Sequence, residues 1–213
     1  MSPQPNVGTG LLHIHACLTR ALNVSIERGQ EFASQGFPSA ALHHGYVDYG
    51  RCLVSTLHAH HSGEEEIFFP YLAAPLPDAP YEELLSEHRR ITALIDHITP
   101  AIEAVAGGAN TVADLGRLVT LVQQLRDVWY PHIAKEESSF SVARLAELIP
   151  VPEHLRLLRA LGEHAQKASG PDYLTVPFTL HNLSPEDRAA FGAGMPAIVT
   201  QQLVPVVWKE KWE

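Results

Sequence analysis

Apolar residues recur at intervals of three and four along most of the chain, and no stretch alternates apolar and polar residues as a half-buried strand does. This pattern predicts an all-α protein. Glycine and proline residues divide the pattern into four long segments, at about 11–32, 40–69, 81–106 and 111–139. Because the connections between these four helices are short, we expect an up-down four-helix bundle.

Polar residues stand where the N-caps of helices are expected. Ser39 precedes the second segment, Thr111 opens the fourth, and Ser184 is followed by Pro185. Serine and threonine side chains accept hydrogen bonds from the first free backbone N–H groups of a helix, and proline suits the first helical position. We therefore expect Ser39, Thr111 and Ser184 to be N-caps, the last of them for a helix near the C-terminus.

The character of the sequence changes after Ser141, where prolines and glycines separate shorter elements. We expect a bundle domain at residues 1–145 and a mainly helical C-terminal extension, packed on the bundle, at residues 146–213. Residues 173–183 are uncharged and partly β-branched. This composition is typical of an extended arm packed on the bundle or of a loop, and the sequence does not decide between them.

Two helix patterns each occur twice, in alternation. The second segment matches the fourth at an offset of 72 residues with the pattern L-x6-H-x3-E-E-x2-F, and the first matches the third at an offset of 73 with L-L-x2-H-x2-[LI]-x3-[LI]. This alternation predicts two similar helix pairs related by an approximate two-fold axis. The matched residues are Leu53, His60, Glu64, Glu65 and Phe68 with Leu125, His132, Glu136, Glu137 and Phe140, and Leu11, Leu12, His15, Leu18 and Leu22 with Leu84, Leu85, His88, Ile91 and Ile95.

The histidines and the first glutamates of this repeat are candidate metal ligands. Residues four apart on a helix share a face, so each H-x-x-x-E pair forms a fork that points with the apolar stripe into the bundle. An unpaired buried carboxylate costs several kcal/mol, and no Lys or Arg lies on the inner stripe nearby. A multivalent cation is the simplest compensation. The candidate ligands are His15, His60, Glu64, His88, His132 and Glu136.

A single H-x-x-x-E pair is usually a solvated surface pair, and it is the repetition at matching phase that favours a metal site. His61 with Glu65 forms an equally spaced fork one residue along, but only the phase of His60 agrees with the repeat. We expect Cys17 and Cys52 to be small core residues. The histidines without a match in the repeat are not expected to be ligands: His13, His43, His44, His58, His97, His154, His164 and His181.

Charge and composition exclude several classes of protein. Fifteen Lys and Arg against 24 Asp and Glu give a net charge of −9, which argues against a sequence-independent grip on nucleic acid or anionic lipid. The uncharged run at 189–208 contains glycines, prolines and glutamines, so we expect no membrane span. Two cysteines make no disulfide framework, and no secretory signal stands at the N-terminus. We expect a cytoplasmic monomer or homodimer.

The run H-H-S-G-E-E-E-I-F-F-P at 60–70 and the run H-I-A-K-E-E at 132–137 resemble the helix-two and helix-four signatures of the hemerythrin-like HHE cation-binding family. The likeness covers roughly residues 8–145, and His15 and His88 also fall where that family has ligands. The resemblance implies a four-helix bundle around a non-haem di-iron centre with two iron ions, oxo- or hydroxo-bridged. Imidazole and carboxylate ligands without thiolate agree with iron, and manganese and zinc are the alternatives.

Oxygen-carrying hemerythrins resemble this sequence but have five histidines, two of them one turn apart on helix three, and His88 has no such partner. With four histidines both irons keep an open position, which favours reduction of a small oxidant (O2, H2O2 or NO) over reversible transport of O2. This inference fails if His61, Glu65 or a tyrosine such as Tyr49 supplies a further ligand. Oxygen or iron sensing without turnover is the alternative, and a di-iron oxygenase acting on an organic substrate is a third hypothesis.

Overall fold

A computed structural model describes residues 4–108 and 111–212, and its secondary structure within those ranges is helical throughout. The all-α prediction is therefore confirmed. The α-helices are α1 (Val7–Gln35), α2 (Ala40–Gly63), α3 (Phe69–Leu72), α4 (Tyr81–Gly107), α5 (Thr111–Ser139), α6 (Val142–Leu148), α7 (Val151–Ala168), α8 (Asp172–His181), α9 (Pro185–Ala193) and α10 (Lys209–Trp212). Two further segments, Glu64–Phe68 and Val199–Val207, are π-helical.

The long helices α1, α2, α4 and α5 form a bundle in which each packs against two neighbours, in the order α1, α2, α4, α5 and back to α1. Their apolar residues at three- and four-residue spacing face inward, as the pattern predicted. Gly36 ends α1 with a φ of 77°, a backbone conformation that favours glycine, and its N–H donates to the carbonyl of Phe32.

The expected serine caps are present. Ser39 Oγ accepts the backbone N–H of Leu42 at 3.2 Å, and Ser184 Oγ accepts that of Asp187 at 3.0 Å. Thr111 is instead the first helical residue of α5, and the position before it lies outside the described residues. The expectation that Thr111 is the N-cap of this helix is therefore wrong.

The second helix does not continue as an α-helix to Phe69. At Glu64–Phe68 the turns widen to π-helix, and the N–H of Phe69 donates to the carbonyl of Glu64, five residues back. Pro70 lacks an N–H, and in a regular α-helix its ring would meet the carbonyl of Glu66. A wider turn just before Pro70 gives this ring room, and regular spacing of apolar residues cannot reveal such an insertion.

The segment at 173–183 is neither an extended arm nor a loop, because Asp172–His181 forms α8. Pro171 stands at its N-cap position and Pro177 lies inside it at the cost of one backbone hydrogen bond. Phe178 is buried in the bundle core, and the hydroxyl of Tyr49 donates to Asn182 Oδ1 at 2.6 Å. Packing against the bundle thus overrides the β-branched and proline signals of the sequence.

The buried apolar residues form two clusters along the bundle. Both belong partly to the long helices, and the second also contains residues of α6 and α7. The first includes Leu18, Leu22, Leu53, Leu125 and Trp129, and the second includes Phe68, Phe69, Leu72, Phe140 and Leu157. Polar buried side chains lie between the two clusters.

The elements after α5 pack on the bundle. α6 runs across the expected domain boundary at residue 145. α7 lies against α1 and α2, where His154 Nδ1 accepts the backbone N–H of Val7 at 3.1 Å. Within residues 4–108 and 111–212, no helix combines the length and the apolar character that a bilayer crossing needs.

Candidate metal centre

The C-terminal end of α2 carries two adjacent histidines, His60 and His61, and is followed by Glu64. Successive helical residues are rotated by about 100°, so Glu64 lies in projection between His60, four residues back, and His61, three residues back. Glu64 Oε2 is 3.6 Å from His60 Nε2 and 3.5 Å from Nε2 of His88 on α4. Both histidines of α2 and this carboxylate therefore point into the bundle.

On α5, Glu136 occupies the corresponding place. Its Oε2 is 3.2 Å from His15 Nε2 and 3.4 Å from His132 Nε2, and its Oε1 is 3.8 Å from His88 Nε2. Glu136 is fully buried. The carboxylate thus touches histidines of α1, α4 and α5 at once.

The side chains able to hold metal fall into two groups. Within each group, one ligand atom from every residue lies within 4.8 Å of all the others. The first group is His15, His60, Glu64 and Glu136, and the second is His61, His88 and His132. The structure therefore brings all six sequence-predicted residues together and adds His61. Since Glu64 and Glu136 both also approach His88, the two carboxylates lie between the groups.

Ten nitrogen and oxygen atoms of these side chains are buried and have no hydrogen-bond partner among the described residues. Several of them lie 3.2–3.8 Å from one another, as given above, without forming hydrogen bonds. Such atoms, when buried, cost free energy unless something takes up their lone pairs. They are Nε2 of His15, His60, His88 and His132, both ring nitrogens of His61, and both carboxylate oxygens of Glu64 and Glu136. This set of nitrogen and oxygen donors, without a thiolate, fits metal ions that accept both imidazole and carboxylate ligands.

Outer carboxylates orient two of the histidines in a symmetric way. Nδ1 of His15 lies 2.9 Å from Glu137 Oε1, and Nδ1 of His88 lies 2.9 Å from Glu65 Oε1. The sequence repeat relates His15 to His88 and Glu137 to Glu65. A carboxylate on one nitrogen fixes the ring and leaves the other nitrogen free for a metal, so both halves of the bundle prepare a ligand in the same way.

A third outer carboxylate breaks the symmetry. His132 Nδ1 lies 3.1 Å from Glu87 Oε2, and Lys135 forms a salt bridge with Glu87. The repeat places Ile14 opposite Glu87, so His60 has no equivalent partner there. Burial alone would raise the pKa of Glu87, but hydrogen bonds from Lys135 and His132 lower it below its ordinary value.

Burial keeps most of the imidazoles neutral. Desolvation, followed by the neighbouring histidines, places the pKa of His60 and of His61 well below the ordinary 6.5. Desolvation also lowers the pKa of His132. For His15, burial acts in the same direction, but the carboxylate of Glu136 at 3.2 Å and the hydrogen bond with Glu137 raise the pKa above 6.5. Neutral imidazoles are the form that binds metal, so the raised pKa of His15 opposes metal binding, whereas the lowered values of His60, His61 and His132 favour it.

The two carboxylates differ in protonation. Burial, with the negative charge of Glu136 and then Glu65 nearby, raises the pKa of Glu64 well above its ordinary value. Burial would raise the pKa of Glu136 too, but contacts with His15 and His88 lower it instead. In the absence of metal, these shifts favour the charged forms of Glu136 and His15, which lie side by side, and the protonated form of Glu64.

Aromatic rings enclose the histidines. The ring centre of Trp129, which is fully buried, lies 5.5 Å from that of His15, and its Nε1 donates to Thr19 Oγ1 at 2.8 Å. Phe69 stacks on His88 from the other side, with ring centres 5.6 Å apart. These rings exclude water from the centre and hold the imidazoles in place.

A surface groove of about 600 Å³ follows α1 and is bordered by one candidate ligand, His15. Its lining includes His15 and Glu137, together with Ala16, Thr19 and Ile133. The groove therefore ends beside the group that contains His15 and His60.

The structure corrects the four-histidine expectation. His61 shares a group with His88 and His132, so the centre has five imidazoles. The inference that both irons keep an open position rested on four histidines and therefore loses its basis. The adjacent histidines three and four residues before one glutamate were the signal in the sequence. The repeat concealed it, because the residue equivalent to His61 is Ile133.

The other candidates for an additional ligand lie elsewhere. Glu65 forms a hydrogen bond with Nδ1 of His88, the ring nitrogen that faces away from the centre, and the hydroxyl of Tyr49 donates to Asn182. Within the described part of the chain, neither metal-binding group contains any of the eight histidines that were not expected to be ligands. His43, for example, makes a 2.8 Å hydrogen bond with the carbonyl of Val105.

Comparison with known proteins gives one finding. The family model of the hemerythrin HHE cation-binding domain matches residues 12–141. Neither the curated proteins nor the solved structures gave a match. The matched region is more than half of the chain and contains every residue of the two metal-binding groups. The chain belongs to the hemerythrin HHE cation-binding family.

Proposed function

We propose that this protein is a non-haem di-iron protein that binds one small oxidant, O2 in the first place, at the side of the centre formed by His15 and His60. The observation that carries the proposal is the unequal division of imidazoles, three in one group and two in the other. Because Glu64 and Glu136 lie between the groups, both metals would share them. The metal beside His15 and His60 then has one protein donor fewer than its neighbour.

This asymmetry favours binding over turnover. Reduction of an oxidant held between two metals needs room for it on both, and His61 occupies that room on the side of His88 and His132. We therefore propose an oxygen-binding or oxygen-sensing role, in place of the oxidant reduction that four histidines suggested. When bound, the iron pair supplies an open coordination position and the electrons that hold a small oxidant there.

The surroundings of the centre select for size and exclude water. The candidate ligands are nearly all fully buried, and Trp129 and Phe69 cover them. The groove along α1 reaches only His15, which belongs to the side with fewer donors. A diatomic molecule or peroxide therefore fits the proposal better than an organic substrate does.

Iron is proposed in preference to zinc or manganese. The donors are imidazoles and carboxylates, and both cysteines lie outside the two groups. Such mixed nitrogen and oxygen donors are typical of non-haem iron sites. We also propose that the protein acts inside the cytoplasm, since its two cysteines are free and buried.

The test uses the full chain loaded anaerobically with Fe²⁺. After mixing with O2, the proposal expects an optical change that reverses when the gas is removed and returns on a second exposure. A His97→Ala variant, altered at an exposed residue of α4 outside both groups, should behave like the wild type. Irreversible oxidation of the iron in one cycle, or many turnovers of H2O2 or NO, would instead establish an oxidoreductase.

A further inference from the structure

α7 touches the chain at the turn that carries the ligands of α2. His164 Nε2 lies 2.7 Å from Ser62 Oγ, and Ser62 stands between the ligands His61 and Glu64. Gly63 comes next, and a Cβ built there would lie 3.3 Å from Leu161 Cδ2 and 3.4 Å from His164 Cδ2. Glycine therefore lets α7 pack close to the backbone here, and a larger residue would make Leu161 move by a few tenths of an ångström.

The same histidine also reaches the π-helical segment. His164 Nδ1 lies 3.7 Å from Glu66 Oε2, so the ring spans from two residues before Glu64 to two residues after it. The Glu66 side chain is 66% exposed, and such an ion pair contributes little by itself. The hydrogen bond to Ser62, which is partly buried, and the packing on Gly63 carry the contact.

The repeat shows that this contact is peculiar to one half of the bundle. Ser62 and Gly63 correspond to Ala134 and Lys135 on α5, and Lys135 extends to form salt bridges with Glu83 and Glu87. On α5, Lys135 therefore links this helix to α4 within the bundle. The corresponding position on α2 is Gly63, which α7 covers. The covered half is also the one that carries two adjacent histidines.

A second anchor holds α7 at its other end. Leu157 is buried in the cluster with Phe68 and Phe69, and His154 accepts the N–H of Val7 at the start of α1. α7 is therefore fixed both to the helix that carries His15 and to the turn that carries Glu64. A shift of this turn relative to α1 would move α7 with it.

We propose that His164 is a positioning residue for the metal centre: through Ser62 and Gly63, α7 fixes the turn between His61 and Glu64, so that docking of α7 and metal binding stabilise each other. The inference rests on the proposed metal centre, although not on iron or on O2. If α7 docking raises the affinity for metal, metal must raise the stability of α7 docking by the same factor. The extension then reports whether the centre is loaded.

The test compares full-length His164→Leu, which loses the hydrogen bond, with His164→Gln, whose amide can restore it. Co²⁺ is the probe, because chelator competition gives its affinity and its visible spectrum reports the ligand geometry. We expect His164→Leu to lower the affinity by roughly tenfold, in the range seen for outer-shell partners, and to shift the spectrum. His164→Gln should recover most of both, and His97→Leu should change neither.

Limited proteolysis gives the reciprocal readout. In the wild type, Co²⁺ should slow cleavage within α7, and His164→Leu should abolish this protection. If His164→Leu fails to fold, Ser62→Ala removes only the hydroxyl and decides the question by the same measurements. Wild-type affinity, spectrum and metal-dependent protection in the folded variant would overturn the proposal. Failure of the wild type to bind Co²⁺ would instead refute the metal centre itself.

Discussion

The imidazole rings of His61 and His88 are stacked, with centres 4.0 Å apart and planes 19° apart. Two protonated imidazoles repel at this distance, and burial already places the pKa of His61 well below 6.5. The stack therefore holds a neutral His61 against His88 within the group that also contains His132. In the function that we propose, His61 is the residue that makes the centre bind its oxidant rather than reduce it.

Substitution His61→Ala should convert the centre from binding to turnover. Without His61 the two metals have equal numbers of imidazoles, and both sides have room for an oxidant. We expect retention of iron at weakened affinity together with multiple turnovers of H2O2, measured by peroxide consumption under excess reductant. A variant as inactive toward peroxide as the wild type, with its iron still bound, would contradict this role of His61.

The opposite change is Ile133→His, at the position that the repeat relates to His61. Ile133 lines the groove beside His15, so an imidazole there can supply the missing donor on the side of His15 and His60. We expect two irons per chain and loss of reversible O2 binding. An optical titration with O2 measures this loss. Unaltered O2 binding in this variant would place the open position elsewhere.

Loss of either outer carboxylate, Glu65 or Glu137, should lower the metal affinity to a similar extent. Glu65→Gln and Glu137→Gln each replace the acceptor that orients His88 or His15, and loss of such a partner typically lowers metal affinity by roughly 10- to 100-fold. Chelator competition measures the change, with Glu82→Gln, on the exposed surface of α4, as a control. Equal affinity in all three variants would show that these carboxylates do not tune the ligands.

Metal affinity should decrease as pH falls from 8 to 6. In the metal-free protein the pKa of His15 is raised by Glu136 and Glu137 against the effect of burial, and that of Glu64 is raised by burial. Both groups must lose a proton when metal binds, so lower pH opposes binding. His60 and His61, whose pKa values are lowered, compete for protons only well below pH 6.5. A pH-independent affinity between 8 and 6 would show that neither His15 nor Glu64 is a ligand.

Removal of metal should destabilise the fold. Ligand present at about 100 times its Kd stabilises a protein by about 2.7 kcal/mol, and for a chain of this size 1 kcal/mol shifts Tm by about 2–4 °C. We therefore expect chelation to lower the Tm by roughly 5–10 °C, as followed by circular dichroism. An identical Tm with and without metal would mean that the buried donors do not need an ion.

Much of this architecture could be predicted from the sequence because it depends on spacing. The three- and four-residue intervals predict the bundle, and the forks of His60 with Glu64 and of His132 with Glu136 predict which side chains meet. The roles of Glu65 and Glu137 were also within reach, since both belong to the repeated pattern. Their partners His15 and His88, however, lie on other helices, and spacing along one helix cannot reveal contacts between helices.

The features that sequence analysis missed are those that break a regular pattern. His61 has no histidine as its equivalent in the two-fold repeat, so a comparison of the repeated helices passes over it. In the π-helical segment Glu64–Phe68 the backbone hydrogen bond spans five residues instead of four, and the spacing of apolar residues does not show this change. α8 forms in spite of Pro177, because Phe178 gains burial against the bundle. Each case is decided by contacts between elements.

The most direct test of the metal centre is an anaerobic titration of the full chain with Fe²⁺, followed by the metal content after gel filtration. The two groups of ligands predict an end point of two Fe²⁺ per chain. The double substitution of Glu64 and Glu136 to alanine should remove both, because the two carboxylates lie between the groups and would serve both metals. An end point of one Fe²⁺ or none in the wild type, or two in the double variant, would contradict the account.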